Sequence, residues 1–284
     1  MPASEVPTGV AGEARFGFGK NWQRFLSVLD DDRIAEAERS LEELLGGGQL
    51  RGKSFLDVGS GSGLFSLAAL RLGASRVHSF DFDPDSVAST AALRDHRAGP
   101  ASDWTVERGS ALDNAFLDGL GTWDVVYSWG VLHHTGDMWR SMANVDHLVA
   151  PGGLLYIALY NDQGRRSAMW KRIKRTYNRL PGPLRFAYLL AIAIPRELLQ
   201  LVRALLQLRP DRYVKKWTEY RRSRGMSAWH DIVDWIGGYP FEVAAPDAVF
   251  SFYRERGYEL TALKTIGMGS GCNQYVFRKA SARP

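Results

Sequence analysis

Apolar positions between residues 54 and 160 follow two different periods that alternate along the chain. Short apolar runs, typical of buried strands, are separated by longer segments in which apolar residues recur every three or four positions, as on one face of a helix. The predicted strands are "SFLDVG", "RVHSFDF", "WTVERG", "WDVVYSWG" and "GGLLYIALY". The predicted helices between them are "LFSLAALRLG", "PDSVASTAALRDH" and "MWRSMANVDHLVA". This alternation predicts a parallel sheet covered by helices on both faces.

The flanks of this region add further elements. "DDDRIAEAERSLEELLGG" has acids in its first turn, apolar residues at helical spacing and glycines at its end, so it predicts a helix before the first strand. Near the C-terminus, "PDAVFSFYRERGYELTALKTI" predicts a helix and then a strand, and "NQYVFRK" predicts the last strand. About 80 residues separate this final part from the fifth strand.

Three helical pieces are predicted in that long connection. The first is "RRSAMWKRIKRTYNRL", with Arg and Lys on one face and apolar residues on the other. Its predicted apolar face comprises Met169, Trp170, Ile173, Tyr177 and Leu180. The second, "LRFAYLLAIAI", is almost wholly apolar, and Pro195 is predicted to open the third, because proline suits the first turn of a helix. The longest apolar run has nine residues, fewer than the ~20 that span a bilayer.

Positive charge is concentrated in the same connection. Residues 165–224 contain seventeen Lys and Arg and three acids, a net charge of +14 in a chain whose total is +5. Three interpretations stay open: a helical cap with solvated basic residues, peripheral contact of 165–208 with anionic lipid headgroups, or RNA binding. Nucleic acid is the less favoured partner, because phosphates do not require an apolar stretch such as "AYLLAIAI".

Composition indicates a globular protein of the cytoplasm. The chain has 284 residues, 45% of them hydrophobic, which is enough to bury a substantial core. Its single cysteine, Cys272, cannot form an internal disulfide. The first residues have neither a basic start nor an apolar run, so no signal peptide is expected. Under the lipid interpretation, the cytoplasmic protein would also associate with a membrane.

A glycine turn follows the first predicted strand. In "LDVGSGSG" the glycines are Gly59, Gly61 and Gly63. A dinucleotide-binding turn reads G-x-G-x-x-G, but Leu64 occupies the position of its third glycine. The spacing therefore weakens the hypothesis of a nicotinamide dinucleotide.

Several motifs together resemble the class I S-adenosylmethionine-dependent methyltransferases. They are "FLDVGSGSG", an acid at the end of the second strand, "GSALD", "DVVYSWGVLHH" and "LVAPGGLLYIALY". The resemblance implies an α/β fold with a doubly wound, mostly parallel seven-stranded sheet, in which the last strand runs antiparallel between the fifth and sixth. The expected parts are an N-terminal segment and helix over the active site, a cofactor-binding core, a basic helical insertion that caps the substrate, and a C-terminal completion of the core. Their expected bounds are 1–48, 49–162, 163–243 and 244–284.

The resemblance also implies which residues bind S-adenosylmethionine. The glycine turn (Gly59, Ser60, Gly61 and Gly63) and Asp57 would hold the methionine part, with Asp57 near the ammonium or only tying down the loop. Asp81 would accept from the ribose hydroxyls and Phe82 would lie against adenine, while Asp83 is a rival that suits a helix cap better. The adenine edge would be completed by Ser110 and Ala111. The methionine end would be lined by Ser128, Trp129 and Gly130. The sequence assigns no metal ligands.

The catalytic residues are less defined. His133 and His134 follow the fourth strand, where they serve either as bases or as structural residues of the turn. His230 and Asp234 would share one helical face if 228–236 is a helix, so that the carboxylate orients the imidazole. We favour His230 as the base, because it belongs to the insertion. The expected substrate pocket comprises Trp22, Tyr160, Trp229 and Tyr239.

The expected function is methyl transfer to a hydroxyl of a small-molecule acceptor, such as a sugar, a quinone-like ring or a lipid-linked intermediate. One alternative is methylation of a tRNA or other RNA base. Another is a cofactor-binding module without catalysis.

Overall fold

The structure, a computed structural model, describes residues 16–17, 19, 29–99, 102–218, 228–267, 269 and 271–281. Within its helices, the side chains of residues 212, 216–218, 228–231 and 234 lie outside this description.

Seven strands form one sheet. They are β1 (Ser54–Val58), β2 (Arg76–Asp81), β3 (Trp104–Arg108), β4 (Trp123–Trp129), β5 (Val149–Tyr160), β6 (Tyr258–Lys264) and β7 (Cys272–Lys279). Their order is β3-β2-β1-β4-β5-β7-β6, with β1 to β5 parallel and β7 antiparallel between β5 and β6. The predicted doubly wound sheet, including the place of its last strand, is confirmed.

Helices cover the sheet. They are α1 (Asp31–Leu45), α2 (Leu64–Arg71), α3 (Pro84–Arg97), α4 (Asn114–Leu120), α5 (Met138–His147), α6 (Arg165–Arg179), α7 (Gly182–Leu206), α8 (Pro210–Thr218), α9 (Ala228–Gly237) and α10 (Pro246–Arg254). A single 3₁₀ turn, Leu132–His134, follows β4. The periodicity did not predict α4 or α8.

The core lies on both faces of the sheet, as strand alternation requires. Phe55 belongs to the cluster that packs under α1 and α2, whereas its neighbour Leu56 belongs to the cluster under α5 and α10. Successive side chains of a strand point to opposite faces, and both faces are covered at the centre of the sheet, so β1, β4 and β5 are mostly buried.

Aspartates begin four of the helices. Asp30, Asp83, Asp113 and Asp137 each accept a hydrogen bond from a backbone N–H in the first turn of α1, α3, α4 and α5. Such caps satisfy amides that have no partner within the helix. The prediction that Asp83 caps the helix beginning at Pro84 is confirmed.

The long connection folds into α6 to α9. The prediction that Pro195 opens a third helix is wrong, because α7 runs through this proline without a break. Proline removes one hydrogen bond of a helix, but α7 extends on both sides of it, with Leu189 and Ala193 buried before it and Ala204 after it. The predicted helix over 228–236 is confirmed as α9.

The buried face of α6 agrees with the predicted one in part, because Trp170, Ile173 and Tyr177 pack in one cluster with residues of α7 and α9. Met169 is 49% exposed, whereas Lys174 is fully buried and Tyr177 lies in the same interior. α6 packs against α9 through Ile232 and Ile236, so the position of α9 decides which side of α6 is covered. None of the helices described in the structure is long and apolar enough to cross a membrane.

Candidate active site

The glycine turn lies at the carboxyl end of β1, next to the point where strand order reverses between β1 and β4. In open α/β sheets, ligands bind at such a switch point. Gly59, Gly61 and Gly63 all have positive φ, at 83°, 56° and 78°. A Cβ on Gly59 would lie 2.4 Å from Cγ1 of Val131, so this residue brings two backbone segments together as well as turning the chain. Ser60 Oγ lies 2.9 Å from Thr90 Oγ1, which joins the turn to α3.

Asp57 is buried beneath this turn. Its Oδ2 accepts a 2.5 Å hydrogen bond from Ser66 Oγ on α2, and Ser66 in turn contacts Ser79 Oγ at 2.7 Å. Burial raises the pKa of Asp57 to about 7, against the effect of the Ser66 hydrogen bond. A nearby cation lowers the pKa of such a carboxyl group, so that the group loses its proton and becomes negatively charged.

Asp81 connects the turn to the end of β2. Its Oδ2 accepts from the backbone N–H of Gly61 and its Oδ1 from that of Asp83, both at 2.9 Å. Burial raises the pKa of Asp81 to about 6, although these backbone hydrogen bonds lower it. Asp83 caps α3 and also accepts from the N–H of Gly19 at 2.8 Å. The N-terminal segment thus contacts this edge of the site.

The ends of β2 and β3 form the next edge. Phe82 is half-buried, and the Arg108 guanidinium lies 5.7 Å from the centre of its ring. Ser110 Oγ accepts from the N–H of Leu112 at 3.2 Å, and the carbonyl of Ala111 accepts from Asn144 Nδ2 at 2.9 Å. The Ser110 hydroxyl oxygen and the Ala111 carbonyl therefore each have a protein partner already.

The end of β4 places its three predicted residues differently. Ser128 Oγ is buried and donates to the carbonyl of Val58 at 3.0 Å, so the hydroxyl links β4 to β1. Trp129 is 44% exposed. Gly130 has a φ of 77°, and a Cβ there would meet no atom within 4 Å, so the backbone borders open space.

His133 is fully buried behind this end of β4. Its Nδ1 accepts from the backbone N–H of Tyr160 at 3.3 Å, which places the ring proton on Nε2. Nε2 has no hydrogen-bond partner among the residues that the structure describes. Burial lowers the pKa of His133 well below its usual range, and the neighbouring His134 and Lys174 lower it further. His133 is therefore neutral at pH 7.

His134 has the opposite tautomer. Its Nδ1 lies 2.5 Å from the carbonyl oxygen of Pro240. Because a carbonyl only accepts, Nδ1 carries the proton and Nε2 carries a lone pair. Burial lowers the pKa of His134 to about 3, and the charge of Lys174 adds to this effect.

Aromatic rings surround the two histidines. The ring of Tyr160, at the end of β5, lies 3.9 Å from that of His133 and 5.4 Å from that of His134. Trp235 of α9 and Phe241 lie 5.6 Å and 5.2 Å from Tyr160. The insertion thus supplies part of the wall at the ends of β4 and β5.

Lys174 lies inside this wall. Its Nζ donates to the carbonyl of Trp235 and lies 4.5 Å and 4.9 Å from the ring centres of Trp235 and Phe241. A buried ammonium over two ring faces is stabilised by cation–π attraction. Helical spacing with Trp170 and Tyr177 could have placed Lys174 on the inner face, but its charge suggested the outer one.

Tyr239 is buried where the insertion meets the N-terminal segment. Its hydroxyl accepts from Arg175 Nε at 3.2 Å, and its carbonyl accepts from the N–H of Phe16 at 3.0 Å. A Cβ on Gly237 would lie 2.3 Å from the Phe16 ring, so this glycine permits the contact. Phe16 and Gly19 therefore lead from the insertion to the end of β2.

The other predicted residues lie outside the described part of the chain. Trp22 is not described, and for Trp229, His230 and Asp234 only the backbone, in α9, is described. The assignment of His230 and Asp234 to catalysis stays a prediction.

Residues 56–155 match the protein family described as "Methyltransferase domain". The chain carries a class I S-adenosylmethionine-dependent methyltransferase domain. Its cofactor is S-adenosylmethionine.

Three known proteins illustrate the similarity to this methyltransferase domain. Ribosomal protein L11 methyltransferase of Xanthomonas campestris pv. campestris is 47% identical over 60 residues, 21% of this chain and 20% of that protein. Ubiquinone biosynthesis O-methyltransferase of Sinorhizobium fredii is 30% identical over 120 residues, 42% of this chain and 46% of that protein. Magnesium protoporphyrin IX methyltransferase from Synechocystis PCC 6803, solved with bound S-adenosylhomocysteine, has a TM-score of 0.52 at 12% identity, covering 92% of this chain and 95% of that one. The chain spans less than half the length of the two sequence relatives, and the structural likeness concerns the fold.

The residues at the turn of the methyltransferase domain fit its cofactor. A carboxylate offers about four lone-pair sites, so Asp81 can accept from ribose hydroxyls in addition to its backbone donors. Asp57 would supply an acid for the ammonium, and the open space at Gly130 would admit the methionine end. We infer these contacts from the donors, acceptors and open space present.

Proposed function

We propose that this protein transfers the methyl group of S-adenosylmethionine to a hydroxyl oxygen of a small-molecule acceptor, with a quinone-like ring as the favoured class. The observation that carries the proposal is the aromatic wall of Tyr160, Trp235 and Phe241 around two neutral histidines at the ends of β4 and β5. The similarity to a ubiquinone biosynthesis O-methyltransferase supports it.

The wall suits a flat acceptor for two reasons. Aromatic side chains bind ring systems by stacking and edge contacts. The Lys174 ammonium, 4.9 Å from the ring centre of Phe241, adds positive potential that favours ionisation of a ring hydroxyl. A sugar hydroxyl would gain less from either feature, so we place it second.

The reaction is an in-line displacement. The bound cofactor supplies an electrophilic methyl group. A bond forms between the acceptor oxygen and this methyl carbon, the bond from carbon to sulfur breaks, and its electron pair stays on sulfur. The protein aligns the two partners and removes the hydroxyl proton. We assign this proton to His230, oriented by Asp234, because Trp235 of the same helix contacts Tyr160. His134 is the second candidate, and it is a weaker base because burial lowers its pKa to about 3.

The test is a transfer assay with S-adenosylmethionine labelled with tritium in its methyl group. A panel of catechols, hydroquinones and sugars is offered to the purified protein, and product is separated from cofactor. We expect the phenols to give labelled methyl ethers. Methyl ethers survive treatment with alkali, whereas methyl esters are hydrolysed. The Asp81→Ala variant is the matched control for cofactor-dependent labelling.

Two results would overturn the proposal. Label that appears only in alkali-labile esters would assign the methyl group to a carboxylate. Label that enters added tRNA but none of the hydroxyl compounds would favour RNA methylation.

A further inference from the structure

The outer side of α7 is apolar and open to solvent. Leu184, Leu198, Val202 and Leu206 are 57%, 55%, 48% and 79% exposed. At 100° per residue these positions lie within one stripe of the helix. The opposite side, the inner face of α7, holds the buried Leu189, Ala193 and Ala204. The helix is therefore apolar on two sides, of which the protein covers one.

This stripe is too large to be incidental. Further exposed residues on or just after α7 extend it, namely Ile194, Leu199, Leu205 and Leu208. Soluble proteins rarely expose contiguous apolar surface of this kind unless a partner binds there. The exposure of eight large apolar residues in one segment indicates a docking surface.

The neighbouring surface is basic. Residues 165–218 contain fourteen Lys and Arg and two acids. A groove of about 420 Å³ between α6 and α7 is lined by Arg165, Met169, Arg172, Ile173 and Tyr188, among others. Arg165 and Arg172 are two helical turns apart on α6, and neither forms an ion pair with any residue the structure describes. The groove thus offers two guanidinium groups above an apolar floor, which suits an anionic amphiphile.

The exposed apolar stripe of α7 and the positive charge beside it together indicate which kind of partner binds there. A second copy of the chain, docked face to face, would bring two strongly cationic surfaces together, and like charges repel. RNA requires the cations but not the leucines. An anionic lipid surface requires both, because headgroups attract the arginines while acyl chains receive the apolar side chains.

We propose that the outer stripe of α7, together with the basic groove between α6 and α7, binds the surface of an anionic membrane. α7 lies along the membrane plane, its leucines enter the boundary of the acyl chains, and Arg165, Arg172 and Arg203 contact lipid phosphates. This surface is independent of the acceptor proposed above, so either proposal can fail alone.

The experiment is flotation of the full-length protein with vesicles. We compare vesicles of phosphatidylcholine alone with vesicles that contain an equal part of phosphatidylglycerol, at low and high salt. We expect binding to the anionic vesicles that falls at least tenfold between 50 mM and 500 mM salt, as expected when several cations contribute. No binding to the anionic vesicles at low salt would overturn the proposal.

Two pairs of variants separate the stripe from general charge. Leu198→Asp with Val202→Asp should weaken vesicle binding at least tenfold, whereas Leu263→Asp, at a residue 47% exposed on β6, should change it less than twofold. Arg165→Glu with Arg172→Glu should also weaken it at least tenfold, and Arg39→Glu with Arg254→Glu is the control of equal charge change. Affinity for S-adenosylhomocysteine should remain that of the parent in all of them.

Hydrogen exchange of the unmodified protein provides a readout that needs no variant. Anionic vesicles should slow exchange in 182–206 and leave α1 unchanged. Equal vesicle binding by the Leu198→Asp, Val202→Asp variant would reduce the interaction to charge alone and overturn the role of the stripe. A homodimer in sedimentation equilibrium that the same variant dissociates would instead make this face a subunit interface.

Discussion

The backbone N–H of Gly61 donates a 2.9 Å hydrogen bond to Oδ2 of Asp81, so the turn after β1 and the acid at the end of β2 act as one unit. The carboxylate holds the backbone of the glycine turn, and we expect it to accept from the ribose hydroxyls of the cofactor as well. Substitution of either residue should therefore weaken binding of the same cofactor.

Asp81→Ala should weaken binding of S-adenosylhomocysteine by about 1.5 to 3 kcal/mol, because charge-assisted hydrogen bonds to the ribose are lost. Calorimetric titration measures this change. Asp83→Ala is the matched control, since it removes the cap of α3 and should lower stability by ~1 kcal/mol with a smaller loss of affinity. A larger loss of affinity in the Asp83 variant would transfer the ribose contact to Asp83.

Asp57 should make cofactor binding depend on pH. The folded protein keeps a carboxyl proton up to about pH 7, and a bound ammonium favours the ionised form. The affinity for S-adenosylhomocysteine should therefore rise between pH 5.5 and pH 8. Asp57→Asn should bind like the parent at pH 5.5 and more weakly at pH 8. Identical pH profiles for both proteins would remove Asp57 from the ammonium site.

The same carboxyl group should destabilise the protein without cofactor at high pH. Its pKa is about 7 in the folded protein and ordinary when unfolded, so the folded state binds more protons between about pH 4 and pH 7. The contribution to stability consequently falls as pH rises through this window. Asp57→Asn should raise the free energy of unfolding at pH 8 by roughly 1 to 3 kcal/mol, measured by urea denaturation. A less stable variant at pH 8 would contradict this account of the buried charge.

Substitutions at Gly59 and Gly130 separate the free-energy cost of a positive φ from the cost of a steric clash. Both have positive φ, but only a Cβ on Gly59 meets a neighbour, Cγ1 of Val131 at 2.4 Å. Gly130→Ala should lose ~1 to 2 kcal/mol from backbone conformation alone, and Gly59→Ala should lose more. Val131→Ala should recover part of the loss in the Gly59 variant and none in the Gly130 variant. Denaturation of the four proteins measures this, and equal losses would show that the contact with Val131 relaxes.

His230→Ala should lower kcat about 10² to 10⁴-fold on a phenolic acceptor found in the transfer assay, with little change in cofactor affinity. The parent rate should rise through a pKa between roughly 6 and 8, and this rise should disappear in the variant. His134→Gln is the comparison for the second proton acceptor. Near-parental turnover by the His230 variant at neutral pH would make that histidine a packing residue.

The chain order of the elements followed from local pattern. Strands of β1 to β5, the helix cap at Asp83 and the glycine turn each depend on residues within a few positions, where period and side-chain chemistry act directly. The elements that carry the motifs could therefore be predicted from the residues of the motifs themselves.

Tertiary contacts decided the rest, because they join residues far apart in the chain. Ser128 donates its hydroxyl to the carbonyl of Val58 on the neighbouring strand, and α7 continues through Pro195 with buried residues on both sides of it. Lys174 is buried only because Trp235 and Phe241, more than sixty residues later, close over it. By itself the sequence determined the sheet, the turn and the caps, through short-range periodicity and sterics. Long-range packing decided that Lys174 is buried on the acceptor side and that the outer stripe of α7 is exposed to solvent. Local patterns in the sequence do not contain this information.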